Sequence, residues 1–343
     1  MSIRYIFGRS GTGKTRFIYN DIKQKIREKS GKPLILIVPE QFNFQAHKDL
    51  IKVLDEKGIM DVEILSFQRL AHRVFEEVGG PHEKLLGDLG RNMVLRKVID
   101  GMEEKLQILN KSVKQPGFMQ TLGNIISEFQ QYDIAPETLS ESKDNVKSTI
   151  LKEKLNDLCL VFQGFKNYMK EKYITSEEIL DVLANKIESC SFLEGAHIWI
   201  DGFYGFTPQQ YRIIYQLLKK AEIMHISLTL DPDVDLFLPC DEGDPFCESR
   251  RTFDKLNKIT ALYNVKLEEP VKLFNKNNTS GKNVELIHLE KEYFNYPCKP
   301  YEKETEYIRL YIATNPYNEI EQVAKNILDF VQHKGYRYRD IAV

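Results

Sequence analysis

The eight residues 8–15, with the sequence GRSGTGKT, constrain the fold of this chain more than any other feature. Apolar residues 5–7 precede them, and an amphipathic run that begins at Phe17 follows them. A glycine-rich loop between a strand and a helix lets backbone N–H groups approach phosphate oxygens, and the helix N-terminus adds its positive end. The order strand, loop, helix therefore predicts a nucleotide phosphate site. A glycine turn with a chance Lys-Thr pair is the alternative.

The predicted phosphate cradle consists of Gly8, Arg9, Ser10, Gly11, Thr12, Gly13, Lys14 and Thr15. Lys14 is expected to reach the β- and γ-phosphates of ATP, and the Thr15 hydroxyl is expected to ligate Mg²⁺. Asp201 follows the apolar run HIWI and is the candidate for a second contact to Mg²⁺ through water. A solvated acid at a strand end is the alternative for Asp201.

A catalytic base is missing from the place where it is expected. In hydrolysing motors of the helicase kind, a glutamate commonly follows this aspartate and polarises the attacking water. Here the next residues are Gly202, Phe203 and Tyr204. The sequence therefore supports nucleotide binding better than turnover, and we assign no catalytic residue.

Apolar runs of strand length alternate with runs of helical spacing along much of the chain. Residues 34–38, 62–65, 197–200 and 224–230 are predicted strands, because continuous apolar runs are typical of parallel strands buried on both faces. Residues 87–189 instead place apolar side chains three and four apart, which predicts helices. We therefore expect an α/β protein with a parallel core interrupted by a helical insert.

The last part of the chain is predicted to contain two further strands and a helix. Residues 307–313 (YIRLYIA) have the pattern of a strand, residues 316–335 that of a helix, and residues 336–343 (YRYRDIAV) that of a second strand. Because the chain stops inside this last run, we expect it to be a fragment of a longer protein.

Composition excludes few classes of function. The chain lacks an apolar run of about 18 residues, so we expect a cytoplasmic protein without a membrane span. A net charge of −2 predicts no global attraction to nucleic acid, so DNA contacts would need a local groove. The 5 cysteines lack metal-binding spacing and are predicted to be free thiols.

One acidic stretch superficially follows the spacing of a calcium loop. Asp231, Asp233, Asp235 and Glu242 are placed accordingly, but Leu236 stands where such a loop needs glycine. A solvated acidic loop is the better interpretation.

Five segments occur in a characteristic order: GRSGTGKT, LILIVPEQFNFQAHKDL, VEILSFQRLAHRVF, IWIDGFYGFTPQQ and NEIEQVAKNILDFVQHKGYRYRDIAV. Together they resemble the N-terminal helicase-like part of the AddB, or RexB, family of bacterial ATP-dependent helicase/deoxyribonuclease B subunits. The resemblance implies a RecA-like P-loop NTPase core of the superfamily-1 helicase kind with a helical insert domain. It divides the chain into the first part of core 1A (1–85), insert 1B (86–190), the second part of core 1A (191–300) and the start of a second core, 2A (301–343).

The resemblance also implies partners and cofactors. Members of the family pair with an A subunit, a motor and nuclease, to resect double-strand DNA ends in recombinational repair, while the phosphate loop itself predicts ATP and Mg²⁺ as cofactors. The B subunit's helicase-like half is regarded as a degenerate motor that scans single-stranded DNA, so a nucleoid-associated location is expected. The family's own nuclease and iron–sulfur cluster are expected beyond residue 343 and not in this chain.

Three residues are candidate DNA contacts by the same resemblance. Phe42, Phe67 and Arg69 follow strands on the edge that carries the phosphate loop, where aromatic rings can stack on bases and arginine can meet phosphates. For each phenylalanine, a core position at a strand–helix junction is an equal alternative. Residues 202–206 (GFYGF) could stack on bases or pack beneath the cleft. A different class of function, an ATPase or phosphotransferase acting without nucleic acid, stays open.

Overall fold

The computed structural model describes residues 1–54, 61–236, 240, 243–274 and 283–343. The chain divides into two compact units, Met1–Asn275 and Lys276–Val343. The strands are β1 (Ser2–Gly8), β2 (Leu34–Ile37), β3 (Glu63–Leu65), β4 (Lys84–Leu85), β5 (Tyr173–Ile174), β6 (His197–Ile200), β7 (Ile223–Thr229), β8 (Lys266–Leu267) and β9 (Val271–Lys272).

The helices of both units are α1 (Lys14–Glu28), α2 (Asn43–Leu54), α3 (Phe67–Val78), α4 (Asp88–Asp100), α5 (Phe118–Gln131), α6 (Pro136–Ser142), α7 (Thr149–Met169), α8 (Ser176–Lys186), α9 (Pro208–Lys220), α10 (Cys247–Leu262), α11 (Val284–Glu292) and α12 (Pro316–His333). Short 3₁₀ turns lie at Glu40–Phe42, Glu103–Lys105, Leu109–Lys111, Lys143–Asn145, Ile187–Ser189 and Tyr338–Asp340.

A parallel sheet forms the centre of the larger unit. Its strand order is β3-β2-β6-β7-β1, and β8 and β9 both pair with the outer edge of β1. The strands predicted at residues 5–7, 34–38, 62–65, 197–200 and 224–230 are confirmed, with small shifts at their ends. This α/β architecture is compatible with the predicted RecA-like core.

Alternating side chains of the strands bury both faces of this sheet. In β1, Tyr5 and Phe7 join one apolar cluster, whereas Ile6 joins the cluster beneath α1 and α2. In β2, Ile35 and Leu36 divide in the same way. Because successive side chains of a strand point to opposite faces, such a strand needs apolar residues throughout, which explains the continuous apolar runs.

The helices α4 to α7 bury a separate apolar core around Leu95, Ile126 and Phe162. The buried Asp157 carboxylate ties this region together, since it accepts hydrogen bonds from the backbone N–H groups of residues 107, 108 and 109 at 2.8–3.1 Å. Ile174 and Leu183, by contrast, pack in the cluster of the central sheet. The helical character predicted for residues 87–189 is confirmed; the predicted domain boundaries stay predictions.

Two strands that the sequence predicts in the smaller unit are absent from its described residues. The helix predicted from residue 316 is confirmed as α12, but residues 307–313 and 336–343 form no strand. The Glu285 carboxylate instead accepts the backbone N–H groups of Glu306, Tyr307 and Ile308 at 2.9–3.2 Å. An extended segment becomes a stable strand only when it pairs within a sheet, and neither segment has a partner strand in the described part of this unit.

The prediction that every cysteine is a free thiol is wrong for two of them. Cys240 and Cys247 form a disulfide with their Cα atoms 5.7 Å apart, a separation that suits a disulfide. Which cysteines come close enough to pair depends on the three-dimensional fold, which their spacing in the sequence does not signal. Cys159, Cys190 and Cys298 are free thiols.

Among the helices of the described residues, none has the length and apolar character needed to cross a bilayer.

Trp199 lies between two histidine rings in the core beneath α1. Its ring centroid is 6.2 Å from that of His197 and 5.6 Å from that of His225, and both pairs are stacked. The Trp199 indole N–H donates to Asp21 Oδ2 at 2.8 Å. His225 is 2% exposed, and this burial lowers its pKa from 6.5 to about 4 although the nearby Asp21 opposes the shift.

The free energy of unfolding should therefore decrease as the pH falls from 6.5 to 4. The unfolded chain takes up a proton at His225 near pH 6.5 but the folded protein only near pH 4, so protonation favours the unfolded chain between these values. The full effect is about 3 kcal/mol. His225→Phe keeps a stacked ring and should flatten this slope in denaturant unfolding at several pH values, whereas His82→Phe, at an exposed position, should not. An unchanged slope in His225→Phe would contradict the assignment.

Candidate nucleotide-binding site

The glycine-rich loop connects the end of β1 to the start of α1, as predicted. Gly13 caps α1 with a φ of 93°, a left-handed conformation that glycine adopts without strain. At Gly8, an added β-carbon would lie 2.9 Å from the backbone oxygen of Leu273. Glycines at these two positions thus let the loop turn tightly onto the helix N-terminus, the geometry that suits a phosphate group.

Lys14 is folded back over the loop. Its Nζ donates to the backbone oxygens of Gly8 and Arg9 at 2.8 and 3.1 Å. Burial lowers the pKa of Lys14, and the nearby Asp201 carboxylate partly opposes this shift. The ammonium group therefore lies where loop carbonyls hold it, and phosphate oxygens are stronger acceptors with which it could exchange.

The Arg9 side chain anchors the loop to the segment after β7. Its Nε donates to Asp231 Oδ2 at 3.0 Å, and its guanidinium carbon lies 5.5 Å from the ring centroid of Phe246. Asp231 Oδ1 accepts the backbone N–H of Asp233 at 3.1 Å. Asp231 is partly buried in this ion pair, whereas Asp233 and Asp235 are exposed, as the interpretation of a solvated acidic loop expects. Glu242 lies outside the described residues.

Asp201 lies directly beside Thr15, as the motif predicts. The Thr15 hydroxyl donates to Asp201 Oδ2 at 2.7 Å, and the Ser227 hydroxyl donates to Asp201 Oδ1. Hydroxyl and carboxylate oxygens are the ligands that suit Mg²⁺, which usually binds through one or two protein groups plus substrate phosphates. The described residues contain no cluster of three or more acidic, histidine or cysteine side chains that could hold a metal alone. This donor set fits a magnesium ion carried by a nucleotide.

These residues line an open cleft of about 940 Å³. Asp201 is the only carboxylate among the cleft-lining residues that the structure describes. Tyr19, one turn after Thr15 on α1, is buried at its floor. Its pKa is raised by burial and by the Asp201 and Asp49 carboxylates. The cleft is large enough for a nucleotide.

The position after Asp201 has a backbone that disfavours a side chain. Gly202 has a φ of 82°, a left-handed conformation in which other residues are strained. An added β-carbon would also lie 3.4 Å from Cδ of Pro39 and 3.9 Å from the Phe42 ring. The residue that replaces the expected glutamate is therefore held in a conformation that suits glycine.

The three candidate DNA contacts lie in different environments. The Phe42 ring is 48% exposed at the edge of the cleft. Arg69 is also exposed, but its Nε donates to Glu40 Oε1 at 3.0 Å. The hydroxyl of Ser66, together with Arg69, lowers the pKa of the Glu40 carboxyl. Phe67 is 3% exposed, so the structure favours the alternative of a core residue, and we do not carry it into the proposed DNA site.

The aromatic residues after Asp201 divide between packing and exposure. Phe203 and Phe206 pack edge-on against Phe67, with ring centroids 5.6 and 6.5 Å from it. Tyr204 is 72% exposed and lines the cleft, and Phe44 is 80% exposed on α2. The sequence analysis left open whether the aromatic residues of 202–206 stack on bases or pack beneath the cleft. It did not select Phe44, although Phe44 lies in the same PEQFNF segment as Phe42.

Comparison with known proteins places this amino-acid sequence in a family. The family model described as "ADDB, N-terminal" matches residues 5–290. Proteins named as the B subunit of an ATP-dependent helicase/deoxyribonuclease match over the whole chain: 41% identical in Caldanaerobacter subterraneus subsp. tengcongensis, 41% in Thermoanaerobacter sp. (strain X514) and 39% in Clostridium novyi (strain NT). The chain spans only 29–30% of the length of these relatives.

Proposed function

The chain belongs to the AddB N-terminal family, and on that basis we propose that it is the nucleotide-binding, helicase-like region of a subunit that processes DNA double-strand ends in recombinational repair. In this proposal residues 8–15 bind the phosphates of Mg-ATP, and Thr15 and Asp201 contact Mg²⁺. Exposed aromatic side chains beside the cleft bind single-stranded DNA, which the subunit scans with little or no ATP turnover of its own.

The contact between Thr15 and Asp201 carries this proposal. The two residues are separated by 186 positions in the chain, yet their oxygens lie 2.7 Å apart at the mouth of the glycine-rich loop. A bound magnesium ion would supply charge neutralisation for the phosphates there. The chain's own groups bind and orient the nucleotide: backbone N–H groups and Lys14 hold phosphate oxygens, and Asp201 orients the Thr15 hydroxyl.

The lining of the cleft supports nucleotide binding better than hydrolysis. A base that accepts the proton of the attacking water must lie within hydrogen-bond reach of it. Asp201, the only described carboxylate in the lining, already accepts two hydroxyl groups. We infer that the site holds ATP and that turnover is slow.

Phe42 is the leading candidate for a DNA contact. Stacking of one base on an aromatic side chain contributes about 1–3 kcal/mol, so Phe42→Ala should weaken binding of a single-stranded oligonucleotide about tenfold in fluorescence anisotropy titrations at low salt. Tyr132→Ala removes an aromatic ring that is 59% exposed on the helical insert and should have little effect. Equal losses in both variants would argue against a specific stacking site at Phe42.

Because Phe42 also lines the nucleotide cleft, each variant should be titrated with Mg-ATP in parallel. Wild-type DNA binding should weaken as salt rises, because phosphate contacts release counterions. The rival function, an ATPase or phosphotransferase that acts without nucleic acid, would show itself as steady hydrolysis unaffected by DNA and abolished by Lys14→Ala.

The proposal extends to partners. The relatives are named as B subunits of a helicase/deoxyribonuclease, so we propose an A subunit with motor and nuclease activity as the partner of the full-length protein. The proposed substrates are single- and double-stranded DNA ends, and the proposed location is the cytoplasm at the nucleoid.

A further inference from the structure

Ser227 lies beside Asp201 on the neighbouring strand, at a position that no sequence motif singled out. The strands β6 and β7 are parallel and pair in register up to Ile200 and Ile226. The next residue of each strand is therefore Asp201 and Ser227, side by side at the edge that carries the phosphate loop. Ser227 is 3% exposed and Asp201 is 6% exposed.

Two hydroxyl groups hold the Asp201 carboxylate from opposite sides. Ser227 Oγ donates to Oδ1, and Thr15 Oγ1 donates to Oδ2 at 2.7 Å. Ser227 thereby fixes the rotation of the carboxylate about its Cβ–Cγ bond and leaves Oδ2 turned toward Thr15. Removal of the Ser227 hydroxyl would leave a buried carboxylate oxygen without its donor, and only the Thr15 hydroxyl would then restrain the rotation of the carboxylate.

We propose that Ser227 is a positioning residue that sets how strongly nucleotide binding depends on Mg²⁺. This inference rests on the proposed function, since it requires that the cleft bind nucleotide. Within the described residues, the Ser227 side chain donates its hydrogen bond to Asp201. Lys14 donates instead to loop carbonyls and has no hydrogen bond to Ser227 there. Loss of the Ser227 hydroxyl should therefore weaken binding of Mg-ATP while leaving binding of metal-free ATP nearly unchanged.

The variants Ser227→Thr and Ser227→Val test this inference. Threonine and valine have nearly the same volume and both suit a strand, so the pair differs mainly in the hydroxyl group. Affinity for ATP is measured by calorimetric titration with Mg²⁺ and again with EDTA, and the ratio of the two affinities is compared. We expect Ser227→Thr to keep the wild-type ratio and Ser227→Val to lower it about tenfold, because loss of a partner that orients a metal ligand typically costs 10–100-fold in metal affinity.

Matched controls separate positioning from general damage. Ser127→Val replaces another buried serine, on α5 of the helical insert, and should keep the wild-type ratio. Ser227→Ala adds no bulk and should lower the affinity ratio as much as Ser227→Val does. It replaces the valine variant in the test if thermal unfolding shows that Ser227→Val is not folded.

Two results would overturn the inference while leaving the proposed function standing. One is that Ser227→Val and Ser227→Ala keep the wild-type ratio of the ATP affinity with Mg²⁺ to that with EDTA. The other is an equal loss of affinity with Mg²⁺ and with EDTA, which would mean that Ser227 has only a structural role. If the wild-type chain bound no ATP under either condition, the proposed function itself would fail and this role of Ser227 with it.

Discussion

Lys14→Ala should weaken binding of Mg-ATP by about 100-fold. The Lys14 ammonium faces the centre of the phosphate loop, where it is held by two loop carbonyls. A hydrogen bond between charged groups contributes about 1.5–3 kcal/mol, and the loss of a partly desolvated ionic contact lies at the upper end of that range or beyond. Calorimetric titration of the wild type and the variant with Mg-ATP measures this difference directly.

Lys52→Ala is the matched control for this prediction. Lys52 also lines the cleft, but its side chain is 64% exposed and paired with Asp49. Exposed ion pairs contribute little, so its removal should change the affinity by less than about threefold. If Lys14→Ala bound Mg-ATP as tightly as the wild type, the loop would not be a phosphate site, and the alternative of a glycine turn would be correct.

Hydrolysis of ATP by the wild-type chain should be far slower than once per second, and Gly202→Glu should not restore it. Phosphoryl-transfer enzymes such as kinases turn over about 1–100 times per second, and a positioned base contributes about 10²–10⁴-fold. The missing base alone therefore lowers the expected rate to about 10⁻⁴–1 per second. A glutamate at position 202 would have to adopt the left-handed backbone of Gly202, which costs about 1–2 kcal/mol.

Gly202→Ala is the control for backbone strain in this experiment. It should lower the thermal stability about as much as Gly202→Glu does, because both side chains begin with the same β-carbon. Steady-state release of phosphate with saturating Mg-ATP and single-stranded DNA is the measurement. Turnover of Gly202→Glu at once per second or faster would show that the cleft needs only a carboxylate at this position and is otherwise competent.

Local signals account for what the sequence predicted correctly. The strands and the phosphate loop are encoded in continuous apolar runs and in one short motif, and both depend on neighbouring residues only. The pairing of Thr15 with Asp201 was also expected, because parallel strands place their carboxyl ends on one edge of the sheet. The nucleotide-binding roles of these residues stay predictions until a ligand is measured.

Contacts between distant residues account for what the sequence did not predict. Arg9 and Asp231 are 222 residues apart, and their ion pair exists only because β1 and β7 are neighbours in the sheet. Phe67 has the same chemistry as Phe42, yet α3 turns its ring into the core. The segment at 307–313 has the composition of a strand, but composition does not supply the partner strand that its backbone would need.

The central claim, that this chain binds Mg-ATP in the cleft of residues 8–15 and keeps it intact, can be tested in one experiment. The purified chain is titrated with Mg-ATP in a calorimeter, and the nucleotide is recovered afterwards and identified by ion-exchange chromatography. We expect saturable binding at one site per chain and recovery of the nucleotide as ATP. The absence of binding, or formation of ADP at once per chain per second or faster during the titration, would contradict the account.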